Sequence, residues 1–182
     1  MNTLRFLDLI ESLKTTKRTG WINNEIENPE SIADHMHRMG IIAMLIKDPT
    51  INKQRLINMA IVHDLAEATV GDITPHDGVS KEDKHDRERK AMEHFNTLLP
   101  TSEMKEIKEL WEEYEHCSTK EALLCKDIDK FEMIVQAHEY EKRYGKNLNS
   151  FFDSTRGKFQ HPEIKEMVNQ LYQKRAEFFN KQ

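Results

Sequence analysis

The chain has 182 residues, a net charge of −5 and 32% charged side chains, with a mean hydropathy of −0.77. A chain of this length builds a full core, burying about 70% of its unfolded surface, and its acidic balance excludes a general binder of nucleic acid polymers while leaving room for a small phosphorylated substrate. No apolar run approaches the ~18 residues of a membrane span, and Asp8 and Glu11 interrupt the first segment where a signal peptide needs an unbroken apolar stretch, so a cytoplasmic protein with no membrane partner is expected.

Leu4, Leu7, Ile10 and Leu13 recur at near-helical spacing and predict an amphipathic helix over 3–16. Residues 17–30 carry Gly20, Asn23, Asn24 and Pro29 and read as a loop, with Trp21 standing out in it. Ser31 and Asp34 have the spacing of a capping box. The helix they start turns Ile32, Met36, Met39, Ala43 and Ile46 to the core and is expected to stop at Asp48-Pro49. A third helix is predicted over about 52–68, with Leu56, Met59, Ala60 and His63 on one face, before Gly71 and Pro75 break the chain in a polar loop.

The dense charge run at 80–98 predicts a solvated helix laced with i,i+4 pairs. Helices over 102–115 and 119–144 follow, the second opened by the pattern Ser118 to Glu121, and a last one spans 162–180. Cys117 and Cys125 lack the spacing of a zinc ribbon or an expected disulfide. No repeat or linker divides the chain, so residues 1–182 read as one all-α domain.

Chemistry concentrates at Ile61-Val62-His63-Asp64-Leu65-Ala66-Glu67. A histidine and an aspartate in an apolar-rich helix need partners, because unpaired buried polar groups cost roughly 1–3 kcal/mol. A divalent metal accepts both. On a continuous helix Glu67, four residues after His63 and three after Asp64, shares their side.

Of nine histidines, His76, His85, His94, His116 and His161 lie in polar or loop contexts, where a solvated imidazole is expected. His138 reads as a core-edge or surface residue. His35 and His37 sit about 200° apart on their helix, so one of them can face the site. His35, beside core-facing Met36, is favoured over His37, beside Arg38. A further carboxylate is expected from Asp127 or Asp129, between which periodicity does not choose.

His35, His63-Asp64 with Glu67, and a later aspartate form a pattern that resembles the HD-domain metal-dependent phosphohydrolases. Further stretches, RTGW at 18–21, ESIADHMHRM at 30–39, HDLAEATVGDITP at 63–75, WEEYE at 111–115 and DIDKFEMIVQAHEYE at 127–141, resemble the 5′-deoxynucleotidase members of that family over nearly the whole chain. The resemblance implies an HD-domain helical bundle with a metal site buried between helices. It also implies that His35, His63, Asp64 and Asp129 bind the main metal, which selects Asp129. Such a His₂Asp₂ set suits Mn, Co, Fe or Zn. Glu67 and Asp72 would line the same cavity and, with the backbone carbonyl of Ile73, hold a second, harder ion such as Mg.

Trp21 resembles the family tryptophan that packs on the sugar, and Glu115 a carboxylate supporting the pocket. In the bacterial pattern of the family an arginine directly precedes that tryptophan; here Gly20 does, which leaves Arg18 or Lys17 as the phosphate clamp. The implied activity is hydrolysis of deoxyribonucleoside 5′-monophosphates, with Glu67 as general base or metal ligand and with Asp72 at its side. Another HD phosphohydrolase activity, on a diester, triphosphate or signalling nucleotide, is the alternative, followed by a non-catalytic metal-stabilised module. The family also implies a homodimer.

Overall fold

The computed structural model describes residues 3–74 and 76–180; Pro75, read above as a breaker, lies outside them. Eleven helices occur among the described residues: α1 (Thr3–Ile10), α2 (Ser12–Thr15), α3 (Thr19–Asn23), α4 (Ile32–Leu45), α5 (Lys53–Val62), α6 (Glu67–Val70), α7 (Lys81–Leu98), α8 (Ser102–His116), α9 (Lys120–Tyr144), α10 (Asn149–Thr155) and α11 (Pro162–Phe179). The β-pairing described is one isolated antiparallel bridge, Lys17 with Ser31. This is the all-α bundle expected.

α4 packs along α5, and both lie against α9, the longest helix. The predicted stripe of α4, from Ile32 through Met36, Met39 and Ala43 to Ile46, is buried throughout. Ser31 caps it as expected: its Oγ accepts from Asp34 N at 3.1 Å, while the Asp34 carboxylate accepts from Ser31 N at 2.8 Å. One apolar cluster lies between α4, α5, α8, α9, α10 and α11. A second gathers Phe6, Met36, Leu65, Met92, Phe95 and Trp111 from the opposite end.

Several element boundaries differ from the sequence reading. The first helix breaks at Glu11, where Lys14 N bonds back three residues to Glu11 O, and Ser12 Oγ donates across to the Ala68 carbonyl at 2.7 Å. α4 ends at Leu45, short of Asp48, because Glu163 of α11 accepts from the amides of Lys47 and Asp48. Thr119, not Ser118, caps α9, accepting from Ala122 N; Glu121 instead accepts from Asn52 N.

The break that matters for function lies between α5 and α6. α5 ends at Val62 with His63 as its C-cap. Leu65, Glu67, Ala68 and Thr69 then bond back three residues, to Val62, Asp64, Leu65 and Ala66. Three-residue bonding winds the chain more tightly than an α-helix, so His63, Asp64 and Glu67 do not share the continuous helix face that the sequence suggested.

Candidate metal centre and active-site cavity

The capped start of α4 places His35 in its second turn, fully buried. Its Nδ1 lies 2.5 Å from Oε2 of Glu132 on α9, and its Nε2 faces Asp129 Oδ1 at 3.3 Å and Asp64 Oδ2 at 3.9 Å. His37 is exposed. His63 is held the same way from its own helix: Nδ1 lies 3.0 Å from the Ala60 carbonyl, and Nε2 turns to Asp64 Oδ2 at 3.1 Å. In both rings a backbone or carboxylate acceptor occupies Nδ1 and thereby fixes Nε2 as the free nitrogen.

Those two Nε2 atoms are buried, yet neither has a hydrogen-bond partner among the described residues. One ligand atom each from His35, His63 and Asp64 falls within 4.8 Å of the others. Asp129 reaches this trio through His35, and its Oδ2 accepts from the Tyr114 hydroxyl at 2.8 Å. Orphaned imidazole nitrogens converging with two carboxylates fit a divalent transition metal. A second trio, Glu30, His35 and Glu132, has similar spacing. It fits a metal less well, because donors already hold its carboxylates: Trp21 Nε1 on Glu30 at 2.8 Å and Arg38 Nε on Glu132 at 2.7 Å.

Asp127 and Asp129 are told apart here. Asp127 Oδ2 accepts from the amides of Gln160 and His161 at 2.6 and 2.8 Å, anchoring the start of α11. Asp129 faces the metal residues.

The trio lies at a cavity of about 570 Å³, lined among others by Arg18, Trp21, Glu67, Asp72, Lys84 and Tyr114. This is the size of a small-ligand site. Arg18 projects into it, with Nη1 3.1 Å from Asp64 Oδ2 and 3.8 Å from Asp72 Oδ1; Lys17 is exposed and belongs to the bridge with Ser31. Asp72 accepts from Thr19 N at 2.5 Å, and its carbonyl from Thr19 Oγ1 at 2.7 Å. That pairing turns part of the supposed 17–30 loop into α3. Gly71 precedes it with φ of +77°, a backbone that glycine adopts without strain.

Trp21 is buried, its ring tilted 31° against Phe151 of α10 at 4.4 Å between centroids. Glu115 accepts from Lys126 at 3.2 Å and pairs with His85 at 3.3 Å.

The charges interact strongly. Burial raises the carboxyl of Glu67, and Asp64 and Asp72 raise it further, so it sits well above the ordinary glutamate range. Asp64 and Asp129 go the other way: burial opposes ionisation, but His63, His35 and Arg18 outweigh it and hold both below the usual aspartate range. Burial and Arg18 push His35 down, yet Glu132 and Asp129 outweigh them and carry it up to about 10. Nearby carboxylates likewise raise Arg18 and Lys84 against their desolvation.

Among the cavity residues that escaped the sequence reading are Lys84 and His85. Lys84, in the charge run taken as solvated, sends Nζ to Glu67 Oε1 at 3.4 Å and the Ile73 carbonyl at 3.0 Å. His85, taken as solvated, stacks at 13° on Trp111 and lines the cavity. No sequence signal separates either from its neighbours. His138 is buried rather than at the core edge.

Comparison with known proteins supplies the remaining context. A model described as HD domain matches residues 10–171. The chain is 51% identical to 5′-deoxynucleotidase HDDC2 of Xenopus laevis, over 94% of this chain and 87% of that one. It is also 51% identical to 5′-deoxynucleotidase hdd1 of Schizosaccharomyces pombe, over 98% and 93%. Among solved structures, HD domain-containing protein YGK1 superposes with a TM-score of 0.72 at 34% identity, covering 98% of this chain and 88% of that one.

Proposed function

The chain belongs to the HD-domain family, and from that premise we infer that it is a metal-dependent 5′-deoxynucleotidase, hydrolysing deoxyribonucleoside 5′-monophosphates to deoxynucleosides and phosphate. One observation carries the reading beyond likeness. The orphaned Nε2 atoms of His35 and His63 converge with Asp64 and Asp129 beside a cavity that also holds Arg18.

In this reading His35, His63, Asp64 and Asp129 hold the main metal, and their donor set favours Mn, Co, Fe or Zn. A divalent cation there supplies Lewis-acid polarisation of a phosphoryl oxygen and activation of water at neutral pH. Arg18 clamps the phosphate, its fork suited to paired oxygens. The unpartnered Oε2 of Glu67 takes the proton of the attacking water, with Asp72 beside it. Phosphoryl transfer asks mainly for positioning and charge stabilisation. Trp21, backed by Phe151 and fixed by Glu30, packs the sugar, and Glu115 supports the pocket from α8. With a second ion of the Mg type, Glu67, Asp72 and the Ile73 carbonyl would be its all-oxygen ligands, and Glu67 would then serve as ligand instead of base.

The proposal takes residues 1–182 as one domain, since α4 and α9 both supply the same centre. It places the enzyme in the cytoplasm, where reducing conditions maintain thiols; Cys117 and Cys125 are both free. It also includes a homodimer, supported by Ile41, Met44 and Leu45 of α4 and Ile61 of α5, all large apolar side chains left exposed.

The deciding experiment is phosphate release from dAMP, dCMP, dGMP, dTMP and their ribo counterparts, with Mn²⁺, Co²⁺, Mg²⁺ or chelator, beside Glu67→Ala. Metal-dependent release from the deoxy series, lost in the variant, is expected. Metal-loaded protein silent on every monophosphate overturns the reading and turns the search to diesters and triphosphates.

A further inference from the structure

α7 carries ten charged side chains between Lys81 and Glu93, and most behave as a surface helix should. Arg87 pairs with Asp83, Arg89 with Asp86 and Glu93, and Lys90 with Asp86, all at side-chain exposures of 41–66%. Lys84 departs from this pattern. Its ammonium reaches into the cavity, 3.0 Å from the Ile73 carbonyl and 3.4 Å from Glu67 Oε1. A third oxygen, Oε1 of Glu88, one turn further along α7, also lies 3.4 Å away.

Glu67 and the Ile73 carbonyl are the same oxygens that the metal reading assigns to a second, harder ion. Mg²⁺ binds oxygen at about 2.1 Å and demands a nearly octahedral shell. An ammonium hydrogen-bonded to both oxygens fills part of that shell. Two cations sharing them in a buried site repel each other strongly. Ion and ammonium therefore compete for the same two groups.

We propose that Lys84 is the protein's own counter-cation at the Glu67–Ile73 oxygens, so that a second divalent ion binds by displacing its ammonium onto Glu88. The proposal deepens the function given above and rests on its assignment of those oxygens. Lys84 neutralises the Glu67 side of the cavity when one metal is bound. The work of moving the ammonium sets how tightly the second ion is held. Glu88, 6% exposed and within reach without any shift of α7, is the acceptor for the displaced group.

The test is a calorimetric Mg²⁺ titration of full-length protein loaded with one equivalent of Mn²⁺, comparing wild type with Lys84→Met, Lys84→Arg and Glu88→Gln. Circular dichroism and retention of one Mn²⁺ per chain establish that each variant is folded. Lys84→Met is expected to bind Mg²⁺ at least tenfold more tightly than wild type. Lys84→Arg, which keeps the charge, should not tighten it. Glu88→Gln, which removes the refuge, should weaken it. Unchanged or weaker Mg²⁺ binding in Lys84→Met overturns the proposal, as does the absence of a second ion from both proteins. If Lys84→Met fails to fold, unchanged or tighter binding in Glu88→Gln overturns it. The readout is ion binding, so such a failure leaves the deoxynucleotidase reading standing; absence of phosphate release would in turn leave the competition between ion and ammonium intact.

Discussion

Glu132 Oε2 lies 2.5 Å from His35 Nδ1, on the ring edge away from Asp129. Glu132 is fully buried, and Arg38 binds its other oxygen from Nε at 2.7 Å. The carboxylate therefore fixes the tilt of the imidazole and occupies Nδ1, leaving Nε2 as the nitrogen aimed at the metal residues. Partners of this kind typically contribute 10–100-fold to metal affinity. Glu132→Gln is expected to weaken Mn²⁺ binding by roughly that factor, read by competition against a chelator, while the circular dichroism spectrum stays unchanged. Wild-type affinity in this variant would reduce Glu132 to an ion-pair partner of Arg38.

Asp127 and Asp129 give opposite expectations. Asp127 is a structural acceptor for the amides of Gln160 and His161. Asp127→Ala leaves both without their charged partner and should cost about 2–4 kcal/mol, measured by urea denaturation, with metal stoichiometry kept. Asp129 is held ionised beside His35, His63 and Arg18, and its Oδ2 accepts from the Tyr114 hydroxyl. Asp129→Ala should lose metal binding while leaving in place the anchor that Asp127 gives the start of α11. Exchange of these two phenotypes would mean that the ligand assignment along α9 is inverted.

How far the sequence reveals this site follows from the range of the forces involved. The Ser31–Asp34 cap and the α4 stripe are local, set within four residues of chain, and both are plain in the sequence. The preference for His35 over His37 follows from the same periodicity. The choice between Asp127 and Asp129 does not, because each is held on α9 by partners from elsewhere, Gln160 for one and His35 for the other. The tightened turn at 63–66 escapes detection because no glycine or proline marks it and Ala66 keeps helical dihedrals. α3 and α10 are short helices whose order comes from each other: Trp21 packs on Phe151, and Asp72 caps Thr19. Lys84 is hidden by its own neighbours, since one inward lysine in a run of charges leaves the composition unchanged.

Arg18 separates substrate binding from metal binding. Its guanidinium lies against Asp64 and Asp72, so removing it takes away a phosphate clamp and also a positive charge that competes with any bound cation. Arg18→Ala is expected to raise KM for dAMP at least tenfold, as loss of a charge-assisted pair of about 1.5–3 kcal/mol implies. Mn²⁺ affinity should hold or tighten. A fall in Mn²⁺ affinity with KM unchanged would make Arg18 a support for Asp64 rather than a contact for phosphate.

Glu113 offers a test of stability away from the cavity. Its carboxylate accepts from Arg55 Nε at 2.7 Å and from the Thr119 hydroxyl at 2.5 Å, joining α8 to α5 and to the cap of α9. Burial opposes its ionisation, but Arg55 and Thr119 outweigh that and hold its pKa below the usual glutamate value of 4.5. A carboxylate depressed on folding stabilises the protein above its unfolded pKa, and that contribution disappears as pH falls through the folded one. Arg55 is partly exposed and screened by solvent, so the contribution is about 1 kcal/mol. Glu113→Gln should therefore lower urea stability by about that amount at pH 7, and the two curves should converge as pH falls below 4.5. A gap that persists undiminished at pH 3 would show that the amide disrupts packing at the α8–α9 junction instead of removing a charge.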